Sequence, residues 1–226
     1  MKRSEINKVI KESEAFIKSL GFLLPPFASW TPQDWSGKGH ECDEIRDNML
    51  GWDITDFGRG DFEHTGLTLI TIRNGNQHNK KYEKPYAEKI LISQEGQVCP
   101  MHFHWYKMED IINRGGGILM MQLYNSTDSE ELSDTDVIVV SDGVALSLPA
   151  GSILELKPGQ SVTLTRGMYH AFWAKEGHGP VMVGEVSQCN DDNADNRFYE
   201  PSGRFPKIEE DEAPYRFLCN EYPAAK

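Results

Sequence analysis

Gly96-Gln-Val-Cys-Pro-Met-His102-Phe-His104-Trp-Tyr-Lys107-Met-Glu109, followed by Gly115-Gly116-Gly117, is the stretch whose reading decides the fold. His102 and His104 stand two apart. In an extended strand that spacing turns both rings to one face, about 7 Å apart along the chain. Glu109 can swing back to the same point. Two imidazoles and a carboxylate converging on one spot make a site for a first-row divalent metal, with room left for a substrate. Further on, Gly159-Gln-Ser-Val-Thr-Leu-Thr-Arg-Gly167-Met-Tyr-His170 supplies a fourth ligand.

Outward from this stretch the texture is β-rich. Short apolar runs with turn signals between them predict strands over Leu67–Arg73, Ala87–Ser93, Val98–Trp105, Ile118–Tyr124, Asp136–Val140, Ala145–Leu148, Ser152–Leu156, Ser161–Thr165, Tyr169–Ala174 and Val181–Val186. Gln94-Glu-Gly-Gln97, Ser141-Asp-Gly143 and Lys157-Pro-Gly-Gln160 read as hairpin-type turns. Many short strands at close spacing imply a sandwich or barrel. The Gly115-Gly-Gly run predicts a bulge or turn before the next strand.

The N-terminal part is different. Ile6, Val9, Ile10, Phe16, Ile17 and Leu20 fall on one helical face, so residues 4–20 are expected to form a helix, capped by Ser4 and stopped at Gly21. Thr31-Pro32 reads as a second helix start, and Asp43 to Leu50 as a third helical stretch ending at Gly51. With no internal repeat or low-complexity linker, the chain reads as one domain. A helical arm spans 1–60, a β-barrel 62–189 and an irregular polar segment 190–226. The arm is expected to pack against the barrel or a partner subunit.

Composition narrows the function. The formal charge is −12, and 26% of residues are charged. Such a chain does not suit nucleic acid or an anionic membrane. Cys42, Cys99, Cys189 and Cys219 form no CxxC pair and read as free thiols of a reducing compartment. No stretch reads as a signal peptide or a membrane span, so a cytoplasmic location is expected.

Gly96, His102, His104, Glu109 and Gly116 fit the first sequence motif of the cupins, and Gly159, Gly167 and His170 fit the second. Thr165 and Ala174 replace the proline and asparagine of that second motif. Neither replacement removes a ligand. Beyond these motifs, Leu24-Pro-Pro-Phe-Ala-Ser-Trp-Thr-Pro-Gln-Asp-Trp35, Glu88-Lys-Ile-Leu-Ile92, Cys99-Pro-Met-His-Phe-His-Trp105 and Gly184-Glu-Val-Ser-Gln-Cys-Asn-Asp-Asp192 resemble the D-lyxose ketol-isomerase family of cupins. That resemblance implies a mainly β, cupin-type barrel (a jelly roll) and interconversion of D-lyxose with D-xylulose, with D-mannose and D-fructose as a second pair. It also implies manganese as the metal, a homodimer, and metal ligation by His102, His104, Glu109 and His170.

The ligand set suits this chemistry. Three neutral imidazoles and one carboxylate leave a divalent ion with residual positive charge, able to polarise two neighbouring sugar oxygens. A base must then move a proton between adjacent carbons. Glu185, in an otherwise apolar late strand, is the preferred base; Lys107 and Lys89 are further catalytic candidates. Trp105, Tyr106, Phe172 and Trp173 flank the ligands, as sugar-stacking or core aromatics. Asp191 to Arg197 reads as a polar loop near the barrel mouth. Competing readings are an iron dioxygenase, a sugar-phosphate isomerase and a metal-bearing sugar sensor without catalysis.

Overall fold

The short apolar runs become two antiparallel sheets packed face to face. The computed structural model describes residues 1–226. Its strands are β1 (Gly51–Thr55), β2 (Leu67–Arg73), β3 (Tyr86–Ser93), β4 (Cys99–Phe103), β5 (Glu109–Gly116), β6 (Leu119–Asn125), β7 (Val137–Ser141), β8 (Val144–Leu148), β9 (Ile153–Leu156), β10 (Ser161–Leu164), β11 (Met168–Ala174), β12 (Val181–Gln188) and β13 (Arg197–Phe198). One sheet runs β1-β2-β3-β12-β5-β10-β7-β8, the other β13-β4-β11-β6-β9. Each of the ten expected strands is present, with its ends within two residues of the expected ones.

Three strands were not expected. β5 carries Glu109, Asp110, Asn113 and Arg114 among few apolar residues, so its sequence hides a strand that pairs with β12 and β10. β13 is too short to show a period. β1 corrects the purely helical reading of residues 1–60. Helix α3 (Asp43–Asp47), the third after α1 (Arg3–Ser19) and α2 (Pro32–Trp35), stops short of Leu50. Met49 at φ 53° and Gly51 at φ 119° then turn the chain into the sheet. Gly51 is required here, because a Cβ would fall 1.8 Å from the Tyr222 hydroxyl.

Two further corrections concern turns and caps. Asp142 and Gly143, at φ 49° and 84°, do form the β7–β8 hairpin. The other two turns close with Gln97 N–H donating to Gln94 O and Gln160 N–H to Lys157 O, but each carries the chain from one sheet to the other. Helix α1 begins one residue early, with Lys2 at its cap. Ser4 does not cap, because its hydroxyl donates to Asp211. The Gly115 region is a bulge as expected: the β5–β12 register shifts there, and a Cβ on Gly116 would meet Pro180 O at 2.2 Å.

Helix α1 packs on its own barrel. Ile6, Ile10 and Ile17 lie on Ile70, Ile72, Ile90, Ile92 and Met182, on the outer face of β2, β3 and β12. Those strands are therefore covered on both faces and read as continuous apolar runs. The C-terminal segment locks the helix down. Arg3 pairs with Glu210 and Glu221, Asn7 Nδ2 donates to Glu212 and Ala213 O, and Tyr215 N–H donates to Asn7 Oδ1. All four cysteines are free and buried. No helix is long and apolar enough to cross a membrane.

Between the sheets, the inward rows change character part-way along each strand. On β3 Leu91 gives way to Lys89, on β12 Val183 to Glu185, on β5 Ile111 to Glu109, and on β11 Phe172 to His170; every one of these residues is buried. Glu185 is registered opposite Lys89 on one side and Ile111 on the other, and Ser187 opposite Glu109. The apolar half closes the barrel, and the polar half opens the cavity of the site.

Ile10, fully buried between α1 and the sheet, tests the outer layer. Ile10→Ala is expected to lower unfolding free energy by about 2–5 kcal/mol, the usual range for a large-to-small core substitution. Urea titration of the two proteins measures it. A loss below half a kilocalorie would show that the helix contributes little to the fold.

Candidate active site

Both sheets build the site. His102 on β4 and His170 on β11 are direct register partners in the five-stranded sheet, and His104 follows the end of β4. Glu109, the first residue of β5, reaches in from the opposing sheet. The ligand nitrogens of the three histidines lie within 4.8 Å of one another, and all three rings are buried. Glu109 Oε1 is 3.2 Å from His170 Nε2 and 3.5 Å from His104 Nε2. The four expected ligands are thus brought together.

The backbone fixes how the rings present themselves. His102 Nδ1 bonds Pro100 O at 2.7 Å, His170 Nδ1 bonds Met168 O at 3.0 Å, and His104 Nδ1 bonds Asp195 O. A carbonyl only accepts, so each Nδ1 carries a proton and each Nε2 is the nitrogen left to turn toward the centre. Burial, followed by repulsion from His170 and His104, pushes His102 well below the ordinary histidine range, so it is neutral at pH 7. The Nε2 atoms of His104 and His170 and a carboxylate oxygen of Glu109 then face one another at the centre. The donor set fits a divalent metal, with nitrogen and oxygen ligands and no thiolate. The carbonyl bonds behind the rings are the outer contacts that orient histidine ligands.

Beside the histidines runs a line of buried charges of alternating sign. Lys107 Nζ lies 2.8 Å from Glu109 Oε2 and 2.8 Å from Glu185 Oε1. Its contact with Glu109 is an ion pair without hydrogen-bond alignment, leaving Oε2 otherwise unpartnered. Lys89 Nζ is 3.6 Å from Glu185 Oε1 and 3.5 Å from Asp192 Oδ1. Arg204 continues the line, pairing with Asp192 at 2.9 Å and with Asp53. Burial alone would raise the Glu109 carboxyl, but Lys107 and His104 outweigh it and hold it well below the carboxylate range. Burial would likewise lower Lys107, but Glu109 and Glu185 hold it above the ordinary lysine value. Asp192, half-buried, is held well below the carboxylate range by Arg204, Lys89 and Lys107. These groups are charged at neutral pH.

Glu185 is unsymmetrical. Oε1 accepts from Lys107 and, at 3.2 Å, faces the Ser187 hydroxyl. Oε2 takes no hydrogen bond from the protein and is not sealed off among the buried unpartnered atoms. The cavity around it is lined by the three histidines, Glu109, Lys107, Lys89 and Arg204 on its polar side. Leu67, Leu69, Leu91, Phe172 and Phe198 form its apolar side. Of the flanking aromatics, Phe172 belongs to both core and cavity wall, and Trp173 is half-buried. Trp105 and Tyr106 are largely exposed, with Trp105 Nε1 donating to Glu130.

Sequence reasoning missed Asp195, Asn190, Asp192, Arg204 and Asp53. Asp195 is 3% exposed, and its carboxylate accepts from the N–H groups of Tyr106 and Lys107 at 2.9 and 3.0 Å. With its carbonyl on His104, this one residue staples the turn that carries His104 and Lys107. Its only signal was membership of the polar run placed near the barrel mouth, and that placement holds.

Comparisons with known proteins bear on the family and the fold. Residues 1–222 match the family model described as D-lyxose isomerase. D-lyxose/D-mannose isomerases of Serratia proteamaculans and Escherichia coli O157:H7 are each 49% identical over 223 residues, covering 98% of this chain and 98% of theirs. Among solved structures, Acinetobacter sp. DL28 L-ribose isomerase in complex with L-ribose superposes with a TM-score of 0.63 at 16% identity, covering 92% of this chain and 98% of the other. That likeness establishes the cupin-like fold.

The converging Nε2 atoms lead to a binding test. The purified chain, stripped with chelator, is expected to take up about one divalent ion per chain in calorimetric titration, by the closed ligand count of the site. His170→Ala should abolish that uptake while leaving the β-sheet circular dichroism unchanged. Undiminished uptake in His170→Ala would remove it from the ligand set.

Proposed function

The chain belongs to the D-lyxose isomerase family, and from that premise we propose that it interconverts D-lyxose with D-xylulose and D-mannose with D-fructose. One observation carries the reading to named residues. A single cavity presents three converging histidine Nε2 atoms and, across from them, a carboxylate with one oxygen pinned and the other free. His102, His104, Glu109 and His170 would hold the metal, which in this reading is manganese. When bound, it supplies Lewis-acid polarisation of the sugar oxygens on the two reacting carbons.

The chain's own residues do the rest. Glu185 Oε2 lifts the proton from the carbon beside the sugar carbonyl and returns it to the carbonyl carbon, while the hydroxyl proton of the first carbon passes from its oxygen to the former carbonyl oxygen. Lys107 keeps its proton, because its N–H bonds face Glu109, Glu185 and Asn190. It therefore aligns Glu185 and offsets negative charge growing on the sugar, rather than acting as the acid. Lys89 faces Asn190, Glu185 and Asp192 in the same way. The leucine and phenylalanine wall excludes water and strengthens these charge interactions. A sugar-phosphate isomerase would need an unpaired cation for the phosphate; each basic group lining this cavity already faces a carboxylate. The family likeness is also the ground for proposing a homodimer, and the unpaired cysteines are the ground for proposing a reducing, cytosolic location.

Glu185→Gln is expected to keep metal and sugar binding and to lose turnover by about 10²- to 10⁴-fold, the usual worth of a positioned acid–base group. Isomerisation of D-lyxose in D₂O should place deuterium at the exchanging carbon of the product. Wild-type turnover in Glu185→Gln would exclude it as the base. A panel of free pentoses and hexoses, incubated under nitrogen with manganese, tests the substrate assignment. No conversion of D-lyxose or D-mannose would refute it.

A further inference from the structure

One polar side chain inside this charge array remains without a role, the amide of Asn190, two residues beyond the end of β12. Its Oδ1 accepts from both buried ammonium groups, from Lys89 Nζ at 2.6 Å and from Lys107 Nζ at 3.3 Å. The same ammonium groups face Glu185 Oε1, at 3.6 and 2.8 Å. One neutral oxygen and one carboxylate oxygen therefore bracket two like charges.

Asn190 is itself held in place. Asn74, the residue after β2, accepts from Asn190 N–H on Oδ1 at 2.9 Å and donates from Nδ2 to Asn190 O at 2.9 Å. This two-point clamp does the work of strand pairing between segments whose strands, β2 and β12, are separated by β3. Asn74 is tied in turn by Asn48, whose Nδ2 donates to Asn74 O at 3.1 Å. Asn48 and Asn74 are both buried. The buried Asn74 amide, with both ends engaged, has one orientation, so the Asn190 backbone is a fixed point from which its Oδ1 reaches both lysines.

We propose that Asn190 is a positioning residue for the base: its neutral amide oxygen, carried on a backbone fixed by Asn74, holds Lys107 and Lys89 on Glu185. This rests on the reading of Glu185 as base. Two ammonium groups close to one carboxylate repel each other. A shared neutral acceptor takes a hydrogen bond from each without adding a negative charge that would draw them off Glu185. An apolar side chain would leave buried N–H groups unpaired, at a cost that loosens the array. A carboxylate would compete with Glu185 for both cations. The groups facing Glu185 are Lys107, Lys89 and the Ser187 hydroxyl, with Glu109 and Asp192 behind the two lysines.

The test uses the full, manganese-loaded chain with D-lyxose, and compares Asn190→Ala, Asn190→Asp and Glu185→Gln. Asn190→Ala should lower kcat by about 10- to 100-fold, part of the worth of the acid–base group it aligns, with KM changed by less than about twofold. Its metal content should be that of the wild type. Asn190→Asp is nearly isosteric and keeps an oxygen for both lysines, so it serves even if the alanine variant misfolds. Its added negative charge disfavours ionised Glu185. The acidic limb of kcat/KM should therefore move to higher pH, by about one unit. A purely structural asparagine would not move that limb. Wild-type rates and an unmoved limb in the Asn190 variants, with Glu185→Gln inactive, overturn this inference alone. Wild-type turnover in Glu185→Gln overturns the base assignment instead. A rate loss in Asn190→Ala that tracks lost metal, with an unmoved limb in Asn190→Asp, assigns Asn190 to the fold and also overturns the proposal.

Discussion

Lys107 between Glu109 and Glu185 is the interaction on which the site depends. A charge taken out of water costs several kcal/mol unless another charge and further hydrogen bonds compensate it. With a side chain only 2% exposed, Lys107 needs both carboxylates, each 2.8 Å away. Those carboxylates come from β5 and β12, neighbours in one sheet. The requirement then propagates. Glu185 brings in Lys89, Lys89 brings in Asp192, and Asp192 brings in Arg204, which ends on Asp53 in β1. Removing one member would strand the next, so the line behaves as a unit rather than a set of separate pairs.

This line also joins two functions that would otherwise be separate. Glu109 belongs to the histidine cluster and Glu185 to the opposite part of the cavity, and one ammonium spans them. Asp195 strengthens the link by holding the turn that carries both His104 and Lys107. Metal geometry and base geometry are in this way set by the same few residues. The surrounding scaffold supplies rigidity. Helix α1 and the C-terminal segment cover the outer face of β2, β3 and β12, so the strands that bear Lys89 and Glu185 are packed on both sides. Sites built on such strands hold their side chains more closely than sites built on loops.

The L-ribose isomerase structure superposes across most of the chain at 16% identity, so the barrel tolerates wide sequence change. What persists in a fold under such change is the alternation of inward and outward residues, which many sequences satisfy. The point along each strand at which the inward rows turn polar is more demanding. Leu91–Lys89, Val183–Glu185, Ile111–Glu109 and Phe172–His170 must change over together, or a charge would face the apolar half of the barrel.

The sequence by itself determined the strands that alternate cleanly, the β7–β8 hairpin with its Asp142-Gly143 turn, the amphipathic first helix, and the four residues His102, His104, Glu109 and His170. Each of these is written in local spacing, since period and turn chemistry act over a few residues. It also marked Glu185, because a carboxylate in an apolar strand is out of place locally. Tertiary structure alone decided the rest. β5 and β1 are strands because neighbours pair with them, not because of their own composition. Asn190, Asp192, Asp195 and Arg204 sit in polar, irregular sequence where a charge or amide ordinarily faces water. They become interior only because the segment after β12 folds back over the barrel mouth, pinned by Asn74 and by the contacts of Asp195. No local pattern records that closure. It follows from the need of buried charges, contributed by strands far apart in the chain, to be paired.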